Sequence, residues 1–385
     1  MRPDAKFMYR TLRCLTLLLF FNLGMTAHAA PVACEPSWPA WESFKKNFID
    51  EEGRVIDNNT GDMRTTSEGQ AYALFFALVA NDRTTFDKLF NWTEINLAEG
   101  DLTTRLPAWL WGRREAGDWG ILDENSASDA DLWLAYTAGE AGRLWTDRRY
   151  VALSSLMANR ILNVETAEVA HLGLVLLPGS NGFQEGGHVR LNPSYLPMQL
   201  MRWFANRSKD PRWTALTDSS LQIIVNASAQ GYAPDWTLYD EKLGFVPVPE
   251  TDKRGIGSYD AIRVYLWAGL LNRDDPARRL LTDRFKPMAQ FISRQHSPPE
   301  SIEISTGTAY NSGPVGFSAA VLPFLLASGL KDTALEQVRR LNASPPGAEN
   351  YYDQVLTLYA TGWLNKLYHF DLKGNLITRW ISKCQ

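Results

Sequence analysis

The chain has 385 residues, 45% of them hydrophobic and 21% charged, the profile of a globular protein rather than a disordered or fibrous one. Its 39 basic and 43 acidic residues leave a formal net charge of −4, with no basic excess for nucleic acid, and three cysteines exclude a disulfide-rich scaffold or a multi-cysteine zinc site. What stands in excess is aromatic: 14 Trp, 14 Tyr and 17 Phe, enough for a large core or a long ring-lined groove.

The first segment predicts export. Arg2, Lys6, Arg10 and Arg13 precede a short apolar run at 14–21, and Ala27-His28-Ala29 supplies a small-x-small cleavage site. The run is too short to span a bilayer comfortably, so residues 1–29 read as a cleaved signal peptide and 30–385 as the mature protein, with no membrane contact after cleavage. Cleavage removes those four basic residues and Asp4, taking the net charge from −4 to −7. It also removes Cys14. Cys34 and Cys384 remain as a candidate disulfide joining the two ends of the mature chain.

The mature chain reads as helices separated by short breaks. Apolar residues at three- and four-residue spacing predict helices over 39–50, 67–81, 83–98, 128–144, 147–162, 195–206, 211–226, 258–271, 276–295, 316–328, 331–342 and 349–366. In the last of these, Tyr352, Val355, Leu356, Tyr359 and Trp363 form one stripe. Ser67 with Gln70, and Ser128 with Asp131, resemble capping arrangements, while Pro193, Pro211 and Pro314 fall at breaks or first turns. Segments 168–190 and 367–379 read as extended. About twelve helices without sequence repeats favour a closed toroid of helical hairpins over an open solenoid.

Several chemistries lose ground by absence. There is no HExxH metal motif, no GxSxG elbow and no Walker-type phosphate loop. Carboxylates and aromatics remain, the pairing glycoside cleavage uses, with two acids flanking the bond and rings stacking on sugars. Three acidic sites stand out. Glu68 lies in the first turn of a helix, either complementing the helix dipole or serving as a general acid, in which case burial or a neighbouring carboxylate must outweigh the dipole. Asp129 and Asp131, two residues apart, cannot share a helix face and must do different things. Asp260 and Arg263 can pair, as a surface ion pair or as a base held ionised by a guanidinium.

In this order and spacing the motifs resemble glycoside hydrolase family 8 over about residues 34–384. They are Trp38-Pro39-Ala40-Trp41, Thr66-Ser67-Glu68-Gly69-Gln70, Leu106-Pro107-Ala108-Trp109-Leu110-Trp111-Gly112, Asn192-Pro193-Ser194-Tyr195-Leu196-Pro197, Pro234-Asp235-Trp236 and Gly313-Pro314-Val315-Gly316-Phe317-Ser318-Ala319. The resemblance implies an all-α fold, an (α/α)6 barrel of about six helical hairpins with small β insertions, as one catalytic domain. It implies endo-acting, inverting hydrolysis of β-1,4-glucan without cofactor or metal. The likeness to the family's periplasmic endoglucanases that accompany bacterial cellulose synthesis implies a periplasmic or secreted location and the cellulose synthase/export complex as partner. Other activities in the family leave xylan, lichenan or chitosan open as substrates, and a glucan-binding subunit of the export machinery is the non-enzymatic alternative. Residue by residue, Glu68 matches the family's general acid, and Asp260 the general base of its endoglucanase-like subgroup. Asp129 matches the first Asp of its Ala-[Ser/Thr]-Asp-[Ala/Gly]-Asp signature, and is expected to hold and distort the sugar. Leu134, Thr137 and Ala138 depart from the rest of that signature, whereas Ala135, Ala141 and Trp145 fit it.

Trp109, Trp111, Trp119, Tyr195 and Trp236 sit in breaks or motif segments and are candidate sugar platforms, with a core role the alternative for each. Trp145 and Trp363 sit on stripes and are assigned to the core. Tyr259 and Arg263 are expected to position Asp260, and Asp235 either to contact a sugar hydroxyl or to cap a turn.

Overall fold

The structure, a computed structural model, describes residues 38–228, 230–246 and 255–383. The predicted signal segment 1–29, Cys34 and Cys384 lie outside the described residues. The helices are, in chain order, α1 (Pro39–Phe48), α2 (Ser67–Val79), α3 (Arg83–Leu97), α4 (Ser128–Leu144), α5 (Arg148–Val164), α6 (Met198–Arg207), α7 (Arg212–Ala227), α8 (Ala261–Leu270), α9 (Pro276–Arg284), α10 (Lys286–Gln295), α11 (Val315–Ala320), α12 (Leu322–Ala327), α13 (Lys331–Ala343), α14 (Tyr351–Leu364) and α15 (Arg379–Lys383).

Two kinds of helix are present, and composition separates them. In α2 every residue from Gly69 to Val79 is buried, and in α8 every residue of the helix is. A helix apolar all round must sit inside. α5 instead buries Tyr150, Leu153, Ser154, Met157, Ala158, Ile161 and Leu162, the single stripe of a helix with one wet face. Contacts follow this division. α2 meets α4, α4 meets α6, α6 meets α8, α8 meets α12, α11 meets α14, and α14 returns to α2. Each inner helix carries an outer one: α3 on α2, α5 on α4, α7 on α6, α9 on α8, α13 on α11 and α12, and α1 on α14. This closed double ring is an (α/α)6 barrel.

The axis of the ring is filled. Phe75, Trp133, Trp267 and Tyr359 touch in a cycle with ring centroids 5.0 to 5.4 Å apart. The end at the C-termini of the inner helices is covered by a hairpin, Tyr368–Phe370 with Leu376–Thr378. Its rings pack on Phe75, Tyr136 donates to the Gly374 carbonyl at 2.9 Å, and Leu376 N–H donates to the buried carboxylate of Glu140 at 2.7 Å. The other end, where the inner helices begin, is left for function.

Several expectations need correction. The predicted 276–295 helix is two, with Phe285 between α9 and α10, because Pro287 cannot continue a helix but starts one well. The predicted 316–328 helix likewise divides into α11 and α12, with Pro323 in the first turn of the second. Neither capping serine caps. Thr66 takes the Gly69 N–H at 3.1 Å, and α4 has Ala127 in its cap position and no side-chain cap. The buried Gln70 side chain instead accepts from Val55 N–H at 2.6 Å and donates to the Gly53 carbonyl and the Thr93 hydroxyl. Strands Leu110–Arg113, Trp119–Asp123, Thr237–Asp240, Gly244–Val246, Pro299–Glu303 and Ala309–Ser312 lie in stretches not read as extended. Trp145 and Trp363 are partly buried, packed against the core.

Candidate active site

The chemistry-bearing residues collect at the starts of inner helices. Glu68 is in the first turn of α2, Asp129 in the first turn of α4, and Asp260 immediately precedes α8. Tyr195 ends the short turn Pro193–Tyr195 before α6, and Tyr351 and Tyr352 begin α14. Consecutive inner helices run the same way because each is followed by an outer return helix. Their positive dipole ends therefore converge on one cleft.

Arg263 lies at the centre, in the first turn of α8 and 8% exposed. One guanidinium nitrogen, Nη2, donates to Asp260 Oδ1 at 3.0 Å and to Ser194 Oγ at 3.0 Å, and stands 3.8 Å from Asp129 Oδ2. The other, Nη1, donates to Tyr352 Oη at 3.1 Å. Asp260 Oδ2 accepts from Asn192 Nδ2 at 3.2 Å, so the carboxylate is held at both oxygens. Asp129, 1% exposed, accepts from Tyr72 Oη at 3.2 Å and from the Ala130 N–H at 2.8 Å. Tyr72 follows Glu68 by one helical turn, which places it on the same face.

The electrostatics separate these acids. Burial, then the Asp129 charge, pushes Glu68 up to about 8, against the pull of its own helix amide and Arg263. Asp129 is pushed up to about 6 by burial, with Arg263 opposing. Glu68 is therefore protonated at neutral pH although it sits at a helix N-terminus: desolvation and a like charge outweigh the dipole. Tyr195 faces the charges of Asp129, Glu68 and Asp260, which with burial hold its phenol well above the ordinary range. Tyr351 sits over the first turn of α2, so close that a Cβ on Gly69 would lie 2.7 Å from its hydroxyl.

Asp131 does something different from Asp129. It is fully buried, and neither of its oxygens nor Glu165 Oε2 meets a donor among the described residues. Glu165 Oε1 accepts from Ser126 Oγ at 2.5 Å. Asp131 and Glu165 face each other, and burial raises both, Asp131 well above the usual carboxylate range. A proton carried by Asp131 and shared with Glu165 pairs one orphaned oxygen of each acid.

Two aromatic groups adjoin the acids. Residues 65–66, just before Glu68, pair with the hairpin Leu110–Arg113 and Trp119–Asp123. There Trp111 stacks on Trp119 with centroids 5.4 Å apart, and the Arg54 guanidinium lies 4.3 Å from the Trp111 ring. Trp119 is 45% exposed, while Trp111 is enclosed further by Trp92. Trp109 is partly buried against the core, and its backbone accepts the Ser67 N–H at 3.0 Å. On the other side, Trp236 lies parallel to Phe183 at 6.2 Å, with Arg190 4.5 Å over its ring and Tyr195 5.9 Å away.

Of the remaining candidates, Tyr259 turns its side chain away from Asp260, donating to Glu300 Oε1 at 3.0 Å, while its carbonyl accepts from Tyr352 Oη at 2.6 Å. Asp235 caps a turn: its Oδ1 accepts the N–H groups of Ser258, Asp260 and Ala261 at 2.7, 3.0 and 2.8 Å. Tyr72, Asn192, Ser194, Tyr352, Arg54 and Phe183 carry no roles in the sequence reading. Tyr72 was reachable from its spacing to Glu68, and Tyr352 from its place at a helix start; Asn192 and Ser194 needed the fold. Among the described residues no group of three or more His, Cys, Asp or Glu is arranged to hold a metal ion, and no helix is long and apolar enough to cross a membrane.

An all-helical double ring with acids and aromatic rings at one open end defines a carbohydrate-cleaving class. Residues 12–366 match the family model of Glycosyl hydrolases family 8, and the chain belongs to that family. It is 46% identical to an endoglucanase of Salmonella typhi over 360 residues, covering 94% of this chain and 95% of that one. An endoglucanase of Escherichia coli K12 is 45% identical over 362 residues, covering 94% and 96%. The crystal structure of an endo-1,4-D-glucanase from Vibrio fischeri ES114 superposes with a TM-score of 0.83 at 44% identity, covering 90% of this chain and all of that one.

Proposed function

We propose that this chain is an endo-β-1,4-glucanase that cleaves internal bonds of cellulose or soluble β-glucan with inversion at the anomeric carbon. The observation that carries the reading is the division of labour among the acids. Glu68 keeps its proton near neutral pH, raised to about 8 by burial and Asp129, while Asp260 is held by Arg263 and Asn192 and faces the same cleft. Glu68 protonates the glycosidic oxygen as the bond breaks. Asp260 takes a proton from a water that attacks the opposite face of the sugar. Asp129, between them, binds and distorts the sugar at the cleavage point; with water as the attacking group, no enzyme nucleophile is required. The stacked Trp111 and Trp119 and the Trp236 group would lie along the glucan on either side.

The endoglucanase names of relatives 46% and 45% identical over most of their length support the glucan as substrate. The signal-like 1–29 segment supports a periplasmic or secreted location, where the chain would act on nascent cellulose beside the synthase/export complex. Proton NMR of cellohexaose hydrolysis tests the mechanism: the α-anomer should appear first, and early β-anomer would replace inversion with retention. Reducing-sugar release on carboxymethylcellulose, lichenan, xylan and chitosan tests the substrate, and xylan or chitosan as the best of the four would overturn it.

A further inference from the structure

Asp260 stands where an aspartate ordinarily turns back onto its own helix. A side-chain acceptor just before a helix takes the free amides of the first turn. Asp260 makes no such bond, and its backbone is already helical at φ −80° and ψ −49°. The Ile262 and Arg263 amides that it would take donate instead to the Ser258 and Asp260 carbonyls at 3.1 and 3.0 Å, and the amides just before them go to another carboxylate. Those of Ser258, Asp260 and Ala261 all converge on Oδ1 of Asp235, 25 residues upstream of Asp260, at 2.7, 3.0 and 2.8 Å.

We propose that Asp235 is a positioning residue for the base: it takes the amides of the turn that leads into α8, Asp260's own among them, and so fixes where the Asp260 carboxylate sits. The inference rests on the assignment of Asp260 above. The anchor itself is fixed. Asp235 N–H donates to the Ile256 carbonyl at 2.8 Å, and Ala233 N–H donates to Tyr265 Oη at 2.9 Å. The Ala233 carbonyl also presses on Gly257, leaving no room for a side chain there, so the segment bearing Asp235 and the turn bearing Asp260 are locked face to face. An anion at the start of α8 is favoured by the helix dipole as well.

Asp235 also places a second charge beside the base. The groups facing Asp260 are Arg263 from α8, Asn192 and Tyr195 from the segment before α6, Glu68 from α2, Asp129 from α4, Tyr352 from α14, and Asp235. Burial and the Asp260 charge raise Asp235 to about 6, against its three amides. Asparagine at 235 keeps an acceptor oxygen for those amides but removes the charge.

The test compares Asp235→Ala, Asp235→Asn and Asp260→Asn on a soluble glucan, with kcat and KM followed across pH. Asp235→Ala should lower kcat by about 10²-fold, the cost of a misplaced catalytic group, with KM changed less than about twofold. Asp235→Asn, which keeps an acceptor oxygen for the three amides, should recover most of that loss. A raised KM with intact kcat in Asp235→Ala would make Asp235 a sugar contact and overturn the proposal. So would Asp235→Asn losing as much kcat as Asp235→Ala, and if Asp235→Ala fails to fold, Asp235→Asn decides alone, a raised KM overturning the proposal and near-parent kcat and KM sustaining it. Asp260→Asn separates the two levels. Activity surviving there overturns the base assignment, whereas an inactive Asp260→Asn beside a fully active Asp235→Ala overturns only the positioning role.

Discussion

Two groups of acids begin within two residues of each other on α4, and they are built on opposite principles. Asp129 shares a cleft with Glu68 and Asp260, and Arg263 stands among them. Asp131 points the other way, into a sealed site with Glu165, where burial raises both acids. The first group sets its acids apart by environment, Glu68 raised by burial and the Asp129 charge while Asp260 is held by Arg263 and Asn192. The second merges two acids into one proton-sharing unit that ties α4, Ser126 and the end of α5 together. A like charge nearby raises a carboxyl in both places, and the guanidinium decides which site holds ionised acids ready for chemistry.

Substitution tests this contrast most forcefully in the open cleft. Glu68→Gln and Asp260→Asn should each lower kcat on carboxymethylcellulose by about 10²–10⁴-fold while circular dichroism is unchanged. In the parent enzyme the alkaline limb should fall through a pH near 8, where Glu68 loses its proton. An alkaline limb unmoved in Glu68→Gln would assign it to another group. Arg263→Met leaves Asp129 and Asp260 without their cation, and denaturant unfolding should show a loss of about 3–5 kcal/mol. A loss no greater than that of Glu165→Gln would erase the distinction between the two groups.

The sealed pair should show itself in stability rather than rate. Glu165 is raised in the folded protein to about 7 from an ordinary 4.5, so the folded state holds a proton that the unfolded state has released. Stability from this group therefore falls as pH rises from about 4.5 to 7 and levels off above, each tenfold difference in proton affinity being worth about 1.4 kcal/mol. Glu165→Gln should flatten that part of the profile, measured by unfolding midpoint between pH 4.5 and 8, and leave kcat near that of the parent. The smallest effect belongs to the rim. Trp119→Ala should raise KM for long glucans roughly two- to tenfold at constant kcat, the scale of one lost ring contact. An equal loss of kcat would place that ring in the reaction rather than in binding.

The sequence showed much of this, unevenly. Helices announced themselves through apolar residues at three- and four-residue spacing, but that 69–79 is buried on every side and α5 on one stripe only emerged with the ring. The small strands did not, since two- to five-residue ladders such as Leu110–Arg113 carry too little pattern and are imposed by the helices they connect. Glu68, Asp129 and Asp260 were legible from local motifs at helix starts. The partners that give them character come from elsewhere: Asn192 and Ser194 precede α6, Tyr352 begins α14, and Asp235 lies 25 residues before Asp260, whose amide it accepts. Such convergence is a property of ring closure, which no window along the chain contains. Asp235 shows the limit best, since Pro234-Asp235-Trp236 alone left a sugar contact and a turn cap equally open.

The hairpin under the barrel has a consequence for polymer traffic. With Phe75, Trp133, Trp267 and Tyr359 filling the axis and Tyr368 and Phe370 laid beneath them, the ring has no bore. A long chain can only touch this protein as a tangent, arriving and leaving sideways across the open face. Cutting can begin without a free end, since the ring of described residues offers no tunnel for one to thread.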